Sequence, residues 1–235
     1  RRWALLTFPY VASKDFFDNL LGSNGPEFAE KTLRDMLGSP DGKQALDAVT
    51  NHERAEAWMK RAESALHSFQ YESALKWIEK AIENDRHPHL LSEYAYYLQL
   101  NQKNDEAVLI LNEAFGLTQD INLKVKIKTF LCIIKLTSDD IESSLEQADE
   151  IIAILYSSDL KQEERSEILK KFLHQISEEL VLKKNRDLIL KIMETIEAKL
   201  NKYNNPLDTA VFISSSLLSA WASDEAHHFI DRVLI

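Results

Sequence analysis

Three alanines recur at one fixed offset, and nothing else constrains the fold of this chain as tightly. Ala62 is followed by Ala95, Ala74 by Ala107 and Ala81 by Ala114, each 33 residues on. The larger residues around them recur as well. The first copy reads Trp58, Arg61, Ala62, Ala65, then Ala74, Ile78, Ala81, with Pro88 after it. The second reads Leu91, Tyr94, Ala95, Leu98, then Ala107, Leu111, Ala114. Self-similarity at such a period marks one supersecondary unit copied along the chain. The small residues have a packing reason. Where two antiparallel helices cross, only a small side chain lets the backbones approach, and large apolar residues fill the space on either side. Arg54 to Gly116 therefore reads as two helix–turn–helix units in tandem.

These residues resemble the tetratricopeptide repeat, about 34 residues long with the pattern W-x2-L-G-x2-Y, then A-x3-F, then P. In the first copy Trp58, Ala74 and Ala81 match. Ala62 stands for the glycine, Ala65 for the tyrosine and Ile78 for the phenylalanine, while Arg61 departs from the usual leucine. The second copy keeps Ala95, Ala107 and Ala114 and lacks the tryptophan. The resemblance implies an all-α fold, a right-handed α-α superhelix or solenoid of about five helix pairs, preceded by a short helical N-terminal segment. It also implies a concave groove lined by the first helix of each pair. The partner-binding positions it implies are Glu56, Met59, Glu63 and Leu66 in the first copy, and His89, Ser92, Tyr96 and Gln99 in the second. Glu56 and Glu63 make that end acidic. It lacks the Lys and Asn set by which some members clamp an acidic peptide tail. Met59 and Tyr96 suit a partner helix or extended peptide. Trp58, Trp77 and Tyr94 are assigned to the repeat core by helical spacing.

The rest of the chain departs from the pattern. In residues 1–50, Ser13 can cap a helix carrying Phe16, Phe17, Leu20 and Leu21, and Pro26 can open another through Leu33 and Met36. Thr50-Asn51-His52-Glu53 has the capping-box form and sets a boundary. Residues 1–50 are then a helical cap or the tail of a preceding domain, and 51–235 the repeat array. After Gly116, Asp120 can cap a helix from Ile121 to Leu136, followed by one carrying Ile141, Leu145, Ala148, Ile151, Ile152 and Leu155. Ser144 falls where the repeat wants a small residue. A fourth, longer pair carries Ile168 to Val181 and Leu188 to Leu200. Asn204-Asn205-Pro206 breaks it. A last pair carries Val211, Phe212, Leu217 and Leu218, then Ala226, Ile230 and Val233. An irregular helical bundle is the competing architecture for residues 120–235.

Composition excludes several classes. The chain has 235 residues, 45% hydrophobic and 28% charged, with five Gly and five Pro, which favours helices throughout. A net charge of −10 argues against a general binder of nucleic acid or membrane surfaces. No apolar run reaches the ~18 residues of a membrane helix. The single cysteine, Cys132, sits in an apolar helical run and reads as a buried core residue; without an internal disulfide, a cytoplasmic setting is expected. The chain lacks an initial Met and ends in a helical pattern, so it is expected to be a piece of a longer protein.

No catalytic constellation is visible. Gly38 to Lys43 is one residue short of a phosphate loop, with Gln44 in place of the hydroxyl and no preceding strand. His52-Glu53 lacks the second histidine of a zinc helix. Asp224 and His228, and His227 and Asp231, lie at i,i+4, where charge pairing explains them as well as metal binding does. The expectation is no enzyme, no cofactor and no metal, with a protein or peptide as partner. A second expectation comes from Trp3 to Leu21, which look like the winged-helix segment after the nucleotide-binding core of signalling (STAND-type) ATPases. The chain would then be the sensor arm of such an ATPase. A DNA-reading helix pair, as in peptide-sensing regulators, is not found in residues 1–50.

Overall fold

The computed structural model describes residues 51–234, and the readings made for residues 1–50 lie outside them. Ten α-helices and no strand are found among the described residues: α1 Asn51–His67, α2 Tyr71–Asn84, α3 Pro88–Leu100, α4 Asn104–Leu117, α5 Ile121–Thr137, α6 Ile141–Ser157, α7 Gln162–Leu182, α8 Arg186–Leu200, α9 Pro206–Ser219 and α10 Ser223–Leu234. The chain divides into two compact units, Arg1–Ile110 and Leu111–Ile235, with the division inside α4.

In the first unit α1 and α2 pack as an antiparallel hairpin, and α3 lies against α2. Ala62, Ala74 and Ala81 have no exposed surface, which is the close approach that their spacing predicts. Trp58 stacks on Trp77 with ring centroids 5.3 Å apart, filling the space beside the crossing. Pro88 opens α3, where its missing N–H costs nothing. The Asn101 side-chain amide donates to Tyr97 O (2.8 Å) and Tyr71 O (3.1 Å), tying the end of α3 to the start of α2.

In the second unit the helices lie in two rows. α5 packs on α7 and α7 on α9; α6 packs on α8 and α8 on α10. Asp120, Asp140, Asn185 and Asn205 cap α5, α6, α8 and α9, their carboxylate or amide oxygens accepting from orphan backbone N–H groups. The core runs through Val125, Ile151, Leu155, Phe172, Leu173, Ile176, Met193, Ile213, Leu217 and Phe229. Two charges are buried in this unit. Lys128 is paired with Glu150 at 2.7 Å, bonded to Gln147 at 3.0 Å and set over the Phe115 ring at 4.6 Å. Glu197 meets Arg232 at 3.2 Å.

The turn inside each helix pair is the same. Phe69, Gln102, Asp139, Lys184 and Trp221 all have positive φ, between 52° and 68°, and each stands two residues past the first helix of its pair. In four of the turns the next N–H closes a six-to-one bond: Gln70 to Ala65 O, Lys103 to Leu98 O, Asp140 to Lys135 O and Ala222 to Leu217 O. This is a Schellman closure, with a side chain where glycine is usual.

Counting from that residue aligns all five pairs. Seven positions before it stand Ala62, Ala95, Cys132, Ser177 and Ser214, all small and all buried. Five positions after it stand Ala74, Ala107, Ser144, Ile189 and Ala226. These two positions meet across the hairpin. The Cys132 thiol lies 3.1 Å from Ser144 Oγ, and Ser214 Oγ donates to Ala226 O at 2.9 Å. In the fourth pair Ile189 takes the small position. A branched side chain there holds α7 and α8 apart, and they touch much less closely than α5 with α6 or α9 with α10. Ser177 Oγ, at the matching position of α7, is buried with no hydrogen-bond partner.

Candidate functional site

The first unit holds the positions expected to meet a partner. On α1, Glu56, Met59, Glu63 and Leu66 follow at three- and four-residue steps and form one stripe; Glu63 is exposed and the others half-buried. On α3, His89 is exposed, and Tyr96 and Gln99 are half-buried. Ser92 is different. It is fully buried and its hydroxyl donates to His89 O at 2.8 Å, so it belongs to the packed interior and offers a partner nothing. Small size, which suits a groove floor, equally suits a helix contact, and the contact wins here.

This face is acidic. Burial pushes the Tyr97 hydroxyl well above the usual tyrosine range, and Glu63, Glu93 and Tyr96 push the same way. Tyr96 meets Tyr97 edge to face with centroids 6.1 Å apart, which fixes its ring. At the start of α1, His52 bonds Asp85 at 2.7 Å, and that bond raises its pKa against a smaller opposing desolvation, with Glu56 and Glu53 adding to it.

The second unit contains a cleft of about 480 Å³, within the size range of ligand pockets. Tyr156, Gln162, Arg165, Ser166, Tyr203, Asn204, Asp208 and Phe212 line it. Tyr156 and Tyr203 stack at 4.4 Å and 13°, and Asn204 donates to the Tyr156 hydroxyl at 2.5 Å. Arg165 lies over Tyr156 at 5.0 Å while Nε and Nη2 donate to Leu155 O and Leu160 O. Those bonds satisfy one carbonyl at the end of α6 and one in the connection to α7, so Arg165 chiefly holds that turn. The residues beside Ser166 in the cleft are aromatic, amide, guanidinium and carboxylate groups. The sequence signalled only a break at Asn204-Asn205-Pro206; the pairing of tyrosines 47 residues apart leaves no local pattern.

One histidine of α10 pairs across helices. His228 meets Glu194 of α8 at 3.0 Å, rather than Asp224 four residues earlier on its own helix. Among the described residues no group of three His, Cys, Asp or Glu side chains converges as a metal site would require. Cys132 is buried as expected, and burial pushes its thiol up to about 11, against a smaller lowering by the Ser144 bond. Among the described residues no helix is long and apolar enough to cross a membrane.

No protein-family model matches this chain, and no curated protein matches it.

Proposed function

We propose that this chain is a protein- or peptide-binding scaffold of the tetratricopeptide type, its helix pairs stacked as a right-handed solenoid. One observation carries the proposal: five consecutive helix pairs share one turn conformation and one register, with small residues at the crossing in all but one position. A repeat of this kind sets first helices side by side, as α5, α7 and α9 are set, and a row of helices offers a continuous surface of side chains to a partner. Glu56, Met59, Glu63, Leu66, His89, Tyr96 and Gln99 keep exposed or half-exposed surface on α1 and α3. Their mix of two carboxylates, a methionine and a fixed aromatic suits a peptide or helix with apolar anchors and a basic flank.

The test compares the chain with a Tyr96→Ala, Glu63→Lys double variant in a pull-down from native lysate, with equal folding checked by circular dichroism. A partner held by the parent and lost by the variant supports the reading. Equal capture by both refutes this face as its binding surface.

A further inference from the structure

The cleft of the second unit follows from a lengthening of the connections between helix pairs. Those connections are three residues long at 85–87 and 118–120, four at 158–161 and five at 201–205. The longest is taken up as a turn, in which the backbone N–H groups of Tyr203 and Asn204 both donate to Leu200 O at 2.9 Å. That turn lays the Tyr203 ring on Tyr156 and leaves Tyr203 53% exposed. Tyr156 is fixed in its turn by the Asn204 amide at its hydroxyl and the Arg165 guanidinium over its ring. The result is a flat aromatic platform held at a set tilt and still half open to solvent.

We propose that this cleft binds a neutral sugar, one pyranose ring laid on Tyr203 and its hydroxyl groups bonded by the polar side chains around it. Three observations point to that class. The first is the platform itself. A pyranose with equatorial substituents has a flat C–H face, and its rim is all hydroxyl groups, each both donor and acceptor. The second is the supply of unspent polar groups of both kinds. The Tyr156 hydroxyl accepts from Asn204 and keeps its own proton to give. Arg165 Nη1 and Ser166 Oγ carry no hydrogen bond among the described residues. Asp208 Oδ2 accepts from Asn205, which leaves Oδ1 as an acceptor. An apolar ligand would strand these groups, and a sugar satisfies them. The third is charge. One guanidinium and one carboxylate line the cleft, so a cation meets Arg165 and an anion meets Asp208, while a neutral ligand is opposed by neither. The inference rests on the second unit alone and is independent of the partner-binding reading.

Titration calorimetry and saturation-transfer NMR of the whole chain test it. The sugar probes are methyl β-glucoside, cellotriose and triacetylchitotriose, with agmatine as cation and inorganic phosphate as anion, each to roughly 10 mM. At least one sugar is expected to bind, and agmatine and phosphate are not. Tyr203→Ala, checked for helix content, is expected to weaken binding about tenfold or more, whereas Tyr203→Phe keeps the platform and is expected to bind as the parent does. Tyr71→Ala, which removes an exposed tyrosine of the first unit, is expected to leave binding unchanged. Failure of all three sugars to bind overturns the proposal, as does binding of agmatine or phosphate in their place. So does a Tyr203→Ala variant that binds as the parent does, or a Tyr203→Phe or Tyr71→Ala variant as impaired as Tyr203→Ala.

Discussion

Ser177 and Ser214 occupy the same place in their repeats, and removing their hydroxyls is expected to have opposite effects. Both are buried on the first helix of a pair, seven residues before the turn. Ser214 Oγ donates across the crossing to Ala226 O at 2.9 Å. Such a bond contributes about 0.5–1.5 kcal/mol net, so Ser214→Ala is expected to destabilise by about 1 kcal/mol. Ser177 Oγ has no partner, because Ile189 stands where its counterpart would offer an accessible backbone. A buried hydroxyl left unbonded costs about 1–3 kcal/mol, and Ser177→Ala removes that cost while leaving the volume almost unchanged. The expected outcome is a gain of about 1–2 kcal/mol. For a chain of this length 1 kcal/mol moves Tm by about 2–4 °C. Calorimetry of the two variants therefore separates them by several degrees, with Ser177→Ala above the parent and Ser214→Ala below. If Ser177→Ala melts below the parent by as much as Ser214→Ala does, the hydroxyl is bonded in solution. The argument that Ile189 props this pair open then fails.

Four further variants have expected outcomes. Lys184 is exposed with φ 52°, so Lys184→Gly relieves about 1–2 kcal/mol of left-handed strain and gives back about 0.4–1 through the freer unfolded chain; a Tm at or above the parent's is expected. Glu146→Gly, at an exposed position inside α6, is the counterpart and is expected to lose about 1 kcal/mol. Ala81→Leu inserts three carbons where no surface is exposed, and urea unfolding is expected to show a loss of about 1–3 kcal/mol or more. Burial raises the Glu179 pKa, with Lys183 opposing. The folded state thus holds that proton more tightly than the unfolded chain, so Glu179 detracts from stability once pH rises through the ordinary carboxylate range and above. Glu179→Gln is expected to melt higher than the parent at pH 7 and to match it near pH 4; a variant less stable at pH 7 refutes this.

Some of this fold could be read directly from the residues, and the reasons are local. Asp120 states a helix start, and Asn204-Asn205-Pro206 a break, because capping and fixed φ act within one turn of the chain. The alanines at Ala62, Ala74 and Ala81 state the first crossing because only a methyl fits there. The shared turn conformation leaves no glycine signal, because its left-handed residues are Phe69, Gln102, Asp139, Lys184 and Trp221. Tertiary packing of the two helices holds those residues in place against a cost that propensity alone would avoid. Ser92 differs from the expectation for the opposite reason: the family pattern places it in the groove, and helix phase alone does not reveal a neighbour that buries it.

The later repeats look degenerate only when they are searched for alanine. The crossing needs small volume and a satisfied interior, and several side chains meet both conditions. Cys132 and Ser144 do so by bonding one another, and Ser214 by bonding Ala226 O. Sequence change at the crossing is therefore coupled: a hydroxyl on one helix is tolerated when the facing residue is small enough to bring an acceptor within reach. The fourth pair breaks that coupling at Ile189, and both consequences appear together, in the looser α7–α8 contact and the orphaned Ser177 hydroxyl. On this reasoning Ile189→Ala alone, which elsewhere would open a cavity costing about 2–5 kcal/mol, is expected to cost less here. The two helices can close on the vacated space and bring an acceptor to Ser177. Combined with Ser177→Ala, it is expected to lose that compensation. A double-mutant cycle that shows additive effects would refute the coupling, and with it the claim that one packing rule runs through all five pairs.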